Sequence, residues 1–489
     1  MNNTKKGFIL NTKAGYFRNG GVDVMAFDDI YPAGHQSGVS ILMHGNRVAT
    51  NGDIRFEQTP GQWQPLPKQG ERVLDAEANT ITTQLRYPDM DNHLKGFNPM
   101  IYPDYAFEYK VTVKGEEKLA VAGVSIAPYA SAKLVAGAAT ADTSKFVYDG
   151  KTLQTPFAKV TFTEDGTISS FYDLTSNREL CGEGYPLNTF LIAEDVPSAW
   201  DNWDIDADIE LKLRPSAKLL SEEVVSNGCV EFRIRRSYQL TERSSVTQDM
   251  VFFADSPEVR FETMMNWNDD HRLLKTAFDT DVFSDFVRQE IQFGYLRRPT
   301  TRNNSVDKAK FEVLNHKYTD LSEHNYGVAI LNDCKYAISA YGGQLRLTLH
   351  KGGNRPDYTG DHGMHYCEYS FLPHDGGFSA ENVVRPAYLL NYKHVAVAGG
   401  EAVAPIATID DTNVVLETIK PCEDAERAFI LRLYEAEGGR TATTLRLPFA
   451  PKGVWETNML EEPQADLGAS QELQLTLRPF EIKTIKVAY

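Results

Sequence analysis

The sequence predicts an all-β protein, and two observations carry that prediction. Short period-two runs recur along it, such as Phe107-Glu-Tyr-Lys-Val-Thr-Val113, Val230-Glu-Phe-Arg-Ile-Arg-Arg236 and Gln344-Leu-Arg-Leu-Thr-Leu349. Alternation at this period puts successive side chains on opposite faces of a sheet. Clusters of Gly, Pro, Asn and Asp bound the runs, as at Ser226-Asn-Gly228 and Glu164-Asp-Gly166, and these residues supply turn conformations. Helical patterns are scarce. The one candidate helix start, from Glu423 to Tyr434, contains Phe429-Ile-Leu-Arg-Leu-Tyr434, which reads better as a strand. Many short strands at near-regular spacing imply sandwiches rather than an α/β core.

A chain of 489 residues is too long for one ordinary core, so several units are expected. Residues 1–120 form a first β-unit rich in Gly and Asn. A stretch of small residues, including Ala136-Gly-Ala-Ala-Thr-Ala141, makes 121–149 a linker or seam. Residues 150–400 form a large β-domain, and 401–489 a final sandwich unit ending on the alternating strand Ile482-Lys-Thr-Ile-Lys-Val-Ala488.

The net charge of −17 argues against nucleic acid as a partner, because phosphate binding needs clustered Lys and Arg. It also disfavours an anionic membrane surface. No apolar run approaches the roughly eighteen residues of a spanning helix. The start, Met-Asn-Asn-Thr-Lys-Lys, is not followed by the apolar core of a signal peptide. The five cysteines, Cys181, Cys229, Cys334, Cys367 and Cys422, are widely spaced and form no C-x-x-C pair. A reducing, cytoplasmic location is therefore expected.

Two clusters draw the eye. In Trp200-Asp-Asn-Trp-Asp204, indoles neighbour carboxylates, the composition of a sugar site: rings stack on C–H faces while carboxylates accept hydroxyl hydrogen bonds. It is equally the composition of a domain interface or core. Arg355-Pro-Asp-Tyr-Thr-Gly-Asp-His-Gly-Met-His365 places Asp361, His362 and His365 close together. Residues three apart on a strand face opposite sides, so the histidines would meet on one ion only through a turn or bulge. Polar residues at a sandwich rim are the simpler reading, and no metal ligand is assigned. His374, in Leu372-Pro-His-Asp-Gly376, reads as a turn residue. Nucleotide-binding, nucleophile-elbow and H-E-x-x-H motifs are missing. Glycoside cleavage usually requires two carboxylates, but 67 acidic residues leave no pair favoured.

From about residue 150 onward the chain resembles family 38 α-mannosidases of the bacterial and cytosolic kind. The resemblance is carried by Thr155-Pro-Phe-Ala-Lys-Val-Thr-Phe162, Glu194-Asp-Val-Pro, Trp200-Asp-Asn-Trp-Asp204, Gln248-Asp-Met, Ser256-Pro-Glu-Val-Arg-Phe261 and His271-Arg-Leu-Leu-Lys275. It continues through Glu290-Ile-Gln-Phe-Gly294, Asn315-His-Lys-Tyr-Thr-Asp-Leu-Ser-Glu323, Tyr326-Gly-Val-Ala-Ile-Leu-Asn-Asp333, Asp361-His-Gly and Asn458-Met-Leu-Glu-Glu462. The resemblance implies a galactose-mutarotase-like supersandwich flanked by smaller β-sandwich units. It also implies a zinc-dependent retaining glycosidase whose N-terminal α/β domain supplies a His-x-His-x-Asp motif and an Asp nucleophile. That motif is not found among the eleven histidines here, so no catalytic or zinc residue is transferred. Zinc is expected in full-length relatives and no cofactor in this chain. Residues 1–120 are similar to the immunoglobulin-like domain of bacterial family 9-type glycoside hydrolases, through Asn11-Thr-Lys-Ala-Gly-Tyr-Phe17, Gly45-Asn-Arg-Val-Ala-Thr-Asn-Gly-Asp53 and Thr59-Pro-Gly-Gln-Trp63.

The expected function is a glycoside-hydrolase-associated β module for carbohydrate, chiefly mannoside, processing. Trp200, Trp203, Arg355, Asp361, His362 and His365 are its expected substrate-binding residues. An active α-mannosidase, or a carbohydrate-binding protein using Trp63, Trp200 and Trp203, are the alternatives. A catalytic domain or second chain is an expected partner, and an apolar surface left bare by its loss would drive homo-oligomer formation.

Overall fold

The computed structural model describes residues 145–356, 361–394 and 400–489, a few residues near 130 and, for the backbone alone, strands between 15 and 113. Four of those, Ile54–Thr59, Ala106–Val113, Thr80–Arg86 and Arg72–Asp75, pair in that order. The remainder of the expected immunoglobulin-like unit, Trp63 included, lies outside the described residues, as does most of the 121–149 seam. Ser131 and Lys133 of that seam bond to the start of the C-terminal unit: Ser131 N–H donates to Val403 O at 3.0 Å and Lys133 pairs with Glu401 at 2.7 Å.

Strands dominate the described chain. Its largest sheet has nine antiparallel strands, in the order Lys218–Asn227, Glu231–Gln239, Ser245–Phe253, Val259–Trp267, Gly363–Asp375, Tyr326–Asn332, Tyr318–Ser322, Phe286–Ile291 and Gly294–Pro299. Gly363–Asp375, thirteen residues long, lies at the centre. The strict alternation in Glu231–Gln239 points Phe232, Ile234 and Tyr238 inward. They meet a six-stranded sheet built around Thr189–Glu194, Arg272–Asp279 and Gln344–Lys351. Phe278 of that sheet stacks on Phe371 at 5.7 Å and Phe190 meets Tyr238 edge-on at 5.5 Å. A five-stranded sheet from Val147 to Glu179 closes one side through Phe162 and Phe171. Each fully buried phenylalanine contributes about 1.5–3 kcal/mol, so the aromatic seam between the sheets is a principal stabilising element.

The final unit is a separate small sandwich. Val414–Pro421, Ala428–Glu435, Ile482–Ala488, Gly453–Thr457 and Pro463–Gly468 form one sheet; Thr408–Ile409, Thr441–Arg446 and Glu472–Leu477 form the other. Leu431, Leu433, Leu445, Leu475 and Ile485 fill it. Residues 429–434 are strand, as the sequence reading indicates, and buried on both faces. The short helix Arg385–Asn391 joins the two units, with Leu390 and Val383 packed beside Tyr318 and Tyr434. His374 corrects the expectation of a turn residue. It lies within the central strand, buried, with its Nε2 3.0 Å from Asp320 Oδ1; the turn begins two residues later at Gly376, whose φ of +77° is left-handed backbone that suits glycine.

Between the two large sheets lies a closed polar network. Gln248 Nε2 donates to Tyr369 Oη at 2.7 Å and to Thr263 Oγ1 at 2.8 Å, while its Oε1 accepts from Asn188 Nδ2 at 2.7 Å. Tyr369 Oη and Thr276 Oγ1 both donate to Asn188 Oδ1, at 2.7 and 3.1 Å. Buried amides are tolerated only when bonded this completely. On the opposite face of the nine-stranded sheet, Arg233 bridges Asp249 at 3.0 Å and Glu262 at 2.7 Å. Burial alone would raise the Glu262 carboxyl, but Arg233 overrides it and holds the pKa at about 2.

Among the described residues no helix is long and apolar enough to cross a membrane. Tyr369→Phe or Gln248→Leu leaves a buried amide one partner short and is expected to cost about 1–3 kcal/mol in urea unfolding. The double variant should lose less than the sum, since both act on one network. Glu262 has its folded-state pKa below the ordinary carboxylate value, so its stabilisation is present above about pH 4.5 and is lost as pH falls towards 2. Glu262→Gln should accordingly be less stable than the parent at pH 7, with the difference shrinking below pH 4.

Candidate functional site

At one end of the large sandwich, three chain segments are stitched together where their strands stop. Asp195 N–H donates to His271 O at 2.8 Å, His271 N–H to Gly352 O at 2.5 Å and Gly352 N–H to Arg272 O at 2.8 Å. These bonds hold the loops that follow Thr189–Glu194 and Gln344–Lys351 against the turn preceding Arg272–Asp279. Lys351 reaches across to the buried Asp195 as an ion pair. Burial raises the Asp195 carboxyl above its ordinary value, and Lys351 opposes that rise.

The tryptophan loop is ordered by its own acids. Trp203 and Asp204 N–H both donate to Trp200 O, at 2.7 and 2.9 Å, and Trp200 itself takes a positive φ of 56°. Asp201 turns inward: its Oδ2 accepts from Asn354 N–H at 2.8 Å and lies 3.2 Å from His271 Nε2. Burial would raise this carboxyl, but the Asn354 N–H and the His271 ring outweigh it and keep it below the usual range. Asn202 packs so closely that a Cβ on Gly353 would stand 1.8 Å from its Oδ1. With Asp201 and Asn202 directed inward, the indoles are left outside. Trp200 is 67% and Trp203 71% exposed, with ring centroids 6.1 Å apart, so neither is a core residue.

The second cluster lies at the same end. His365, near the start of the central strand, lies with its ring tilted 4.4 Å from His350, which in turn sits 4.7 Å from the buried Trp267. Burial pushes the His350 imidazole well below its ordinary pKa, and neighbouring His365 adds to this. His365 Nε2 is 2.5 Å from Asp361 O, closing the 361–365 turn on itself. His362 points elsewhere, with Nε2 2.9 Å from Asp270 Oδ1 but without hydrogen-bond alignment. Arg355 is exposed, next to the Asn354 that binds Asp201.

The fold therefore gathers all six expected residues at one rim, in two groups. Trp200, Trp203 and Arg355 lie beside the Asp201–Asn354 contact in the chain, while His362 meets Asp270 and His365 meets His350 and Asp361. Sequence inspection alone did not single out His271, Asp270, His350 or Trp267. The stretch beginning at His271 carried a family likeness, but nothing local marked His350. Among the described residues no three His, Cys, Asp or Glu side chains are arranged to hold a metal ion. The described residues thus do not fit the zinc that the resemblance implies for full-length relatives. The rim offers stacking surfaces and hydrogen-bond acceptors. Its perturbed carboxylates are committed, Asp195 to Lys351 and Asp201 to Asn354 and His271.

Comparison with known proteins now bears on this arrangement. The glycosyl hydrolases family 38 C-terminal domain matches residues 153–359, and the family 38 C-terminal beta sandwich domain matches 413–485. The chain is 34% identical over 345 residues to alpha-mannosidase 2C1 of Homo sapiens, covering 68% of this chain and 33% of that protein. It is also 34% identical over 348 residues to alpha-mannosidase G of Dictyostelium discoideum, covering 68% and 32%. The chain thus spans about one third of the length of the curated relatives it matches. Among solved structures, an alpha-mannosidase from Enterococcus faecalis shares the fold, with a TM-score of 0.59 at 13% identity, covering 99% of this chain and 56% of that one. Two consecutive domain matches in family order, together with these relatives, show that the chain belongs to glycosyl hydrolase family 38, of which it carries the C-terminal β-domains.

Proposed function

We propose that this chain is the accessory β portion of an α-mannosidase-type glycoside hydrolase, presenting a carbohydrate-facing rim rather than the bond-breaking groups. The pair of family 38 C-terminal domain matches carries this reading. The exposed Trp200 and Trp203 rings act as sugar-stacking surfaces, as indoles do on pyranose C–H faces. Arg355, Asp361, His362 and His365 contribute polar contacts around them. The zinc-bearing catalytic unit expected in full-length relatives, whether on a longer chain or a second one, is the natural partner.

The facing nine- and six-stranded sheets support the reading as a mutarotase-like supersandwich. Two separate hydrophobic cores support boundaries near 150 and 400. All five cysteines are free, which favours a reducing, cytoplasmic compartment.

Titration of the chain with mannose oligosaccharides should quench tryptophan emission saturably. Trp200→Ala with Trp203→Ala should abolish the change, and Gly353→Ala, which displaces Asn202, should weaken binding by about tenfold. A flat titration would overturn the mannoside assignment. Incubation of the chain alone with an aryl α-mannoside should release no aglycone; release that stops on adding a chelator would show instead that this chain is catalytic.

A further inference from the structure

We propose that a recess at the opposite end of the same sandwich is a second carbohydrate-binding site, taking one or two units of a neutral oligosaccharide. Arg272–Asp279 and Gly363–Asp375 both run away from the tryptophan rim, and the loops beyond Asp279 and Asp375 meet there with the turn before Tyr326. They enclose a cavity of about 540 Å³ lined by Phe283, Phe286, Phe378, Arg288, Glu323 and His324, among others. That volume lies within the range of small-ligand sites.

Its walls set three phenyl rings, Phe283, Phe286 and Phe378, among polar side chains, of which Arg288 and Glu323 are held by partners. Phe283 is 77% exposed, which leaves its phenyl face open to a ligand in the recess. Glu323 accepts from Arg178 at 2.6 and 2.7 Å and from Phe283 N–H at 3.0 Å. These bonds, the Arg178 pair foremost, hold its carboxyl below the ordinary range. Arg288 lies over Phe286 and Phe378, at 4.9 and 5.1 Å, and its guanidinium is 3.5 Å from the fully buried Asp320. Ser322 Oγ also donates to Asp320, at 2.7 Å, and His374 Nε2 lies 3.0 Å from it on the far side.

These pairings decide the ligand class. Arg178 is matched by Glu323 and Arg288 by Asp320, so neither guanidinium carries an unbalanced charge to attract phosphate or sulfate. Its remaining character is phenyl surface beside rigid acceptors and donors, which suits a pyranose: C–H faces against rings, hydroxyls to charged groups. The inference rests on the proposed role in carbohydrate processing, but not on mannose as the sugar.

The test is calorimetric titration of the full chain with short manno-, gluco- and galacto-oligosaccharides, in the parent, in Trp200→Ala/Trp203→Ala and in that double variant with Phe283→Ala added. A binding component that survives loss of the tryptophans and weakens about tenfold or more with Phe283→Ala is expected. The exposure of Phe283 means the melting temperature should not move. If no sugar binds the tryptophan-less variant, or if Phe283→Ala leaves that binding unchanged, the recess is not a sugar site. Should gluco- or galacto-oligosaccharides bind there while mannosides bind nowhere, the recess stands and the mannoside reading of the rim falls.

Discussion

The hydrogen-bonded cluster of Asn188, Gln248, Thr263, Thr276 and Tyr369 is the constraint on which the large domain depends. Two sheets of aromatic and aliphatic side chains could slide against each other at little cost, because apolar contact is non-directional. Directional bonds remove that freedom. Gln248 and Tyr369 come from neighbouring regions of the nine-stranded sheet, Thr276 from the six-stranded sheet, and Asn188 from the residue just before Thr189–Glu194. With every bond made, only one relative placement of the sheets satisfies the buried amides.

That placement sets both ends of the sandwich. At one end it aligns the termini of Thr189–Glu194, Gln344–Lys351 and Arg272–Asp279, so three backbone bonds and the Asp195–Lys351 pair can fasten the loops. The tryptophan loop inherits its shape from there: Asp201 is drawn inward by Asn354 and His271, and the indoles have nowhere to go but outward. At the other end Arg272–Asp279, Phe286–Ile291 and Gly363–Asp375 bring Phe283, Arg288 and Phe378 to one recess. A rigid scaffold with chemistry carried on loops is the usual division of labour in β-proteins.

The family likeness and the local geometry speak to different questions. Identity of 34% with alpha-mannosidases over 345 residues identifies the kind of enzyme to which such domains are attached. The rim carboxylates Asp195 and Asp201, however, are bound up in structural contacts, and the described residues offer no metal ligand set. Several stretches that carry the likeness are structural by position. Gln248 belongs to the buried network, and in Asn458-Met-Leu-Glu-Glu462 the Asn458 side chain accepts from Leu460 and Glu462 N–H, closing a turn.

The sequence by itself determined the class of fold, because period-two alternation and turn residues are local signals that each strand carries alone. It determined the strand centred on Arg233 for the same reason, and strand character at Phe429–Tyr434 through a short apolar run. It also determined the family, through many short matches in order, and the chemical nature of the tryptophan cluster. Only the tertiary structure decided that His374 is a buried strand residue, that Trp200 and Trp203 face outward, and that His271, His350 and Asp270 join the rim. Those outcomes depend on partners far apart in the chain, such as Asp201 with Asn354 and His374 with Asp320. Pairings of that kind leave no periodic trace, since they are fixed by how sheets pack and not by any one strand.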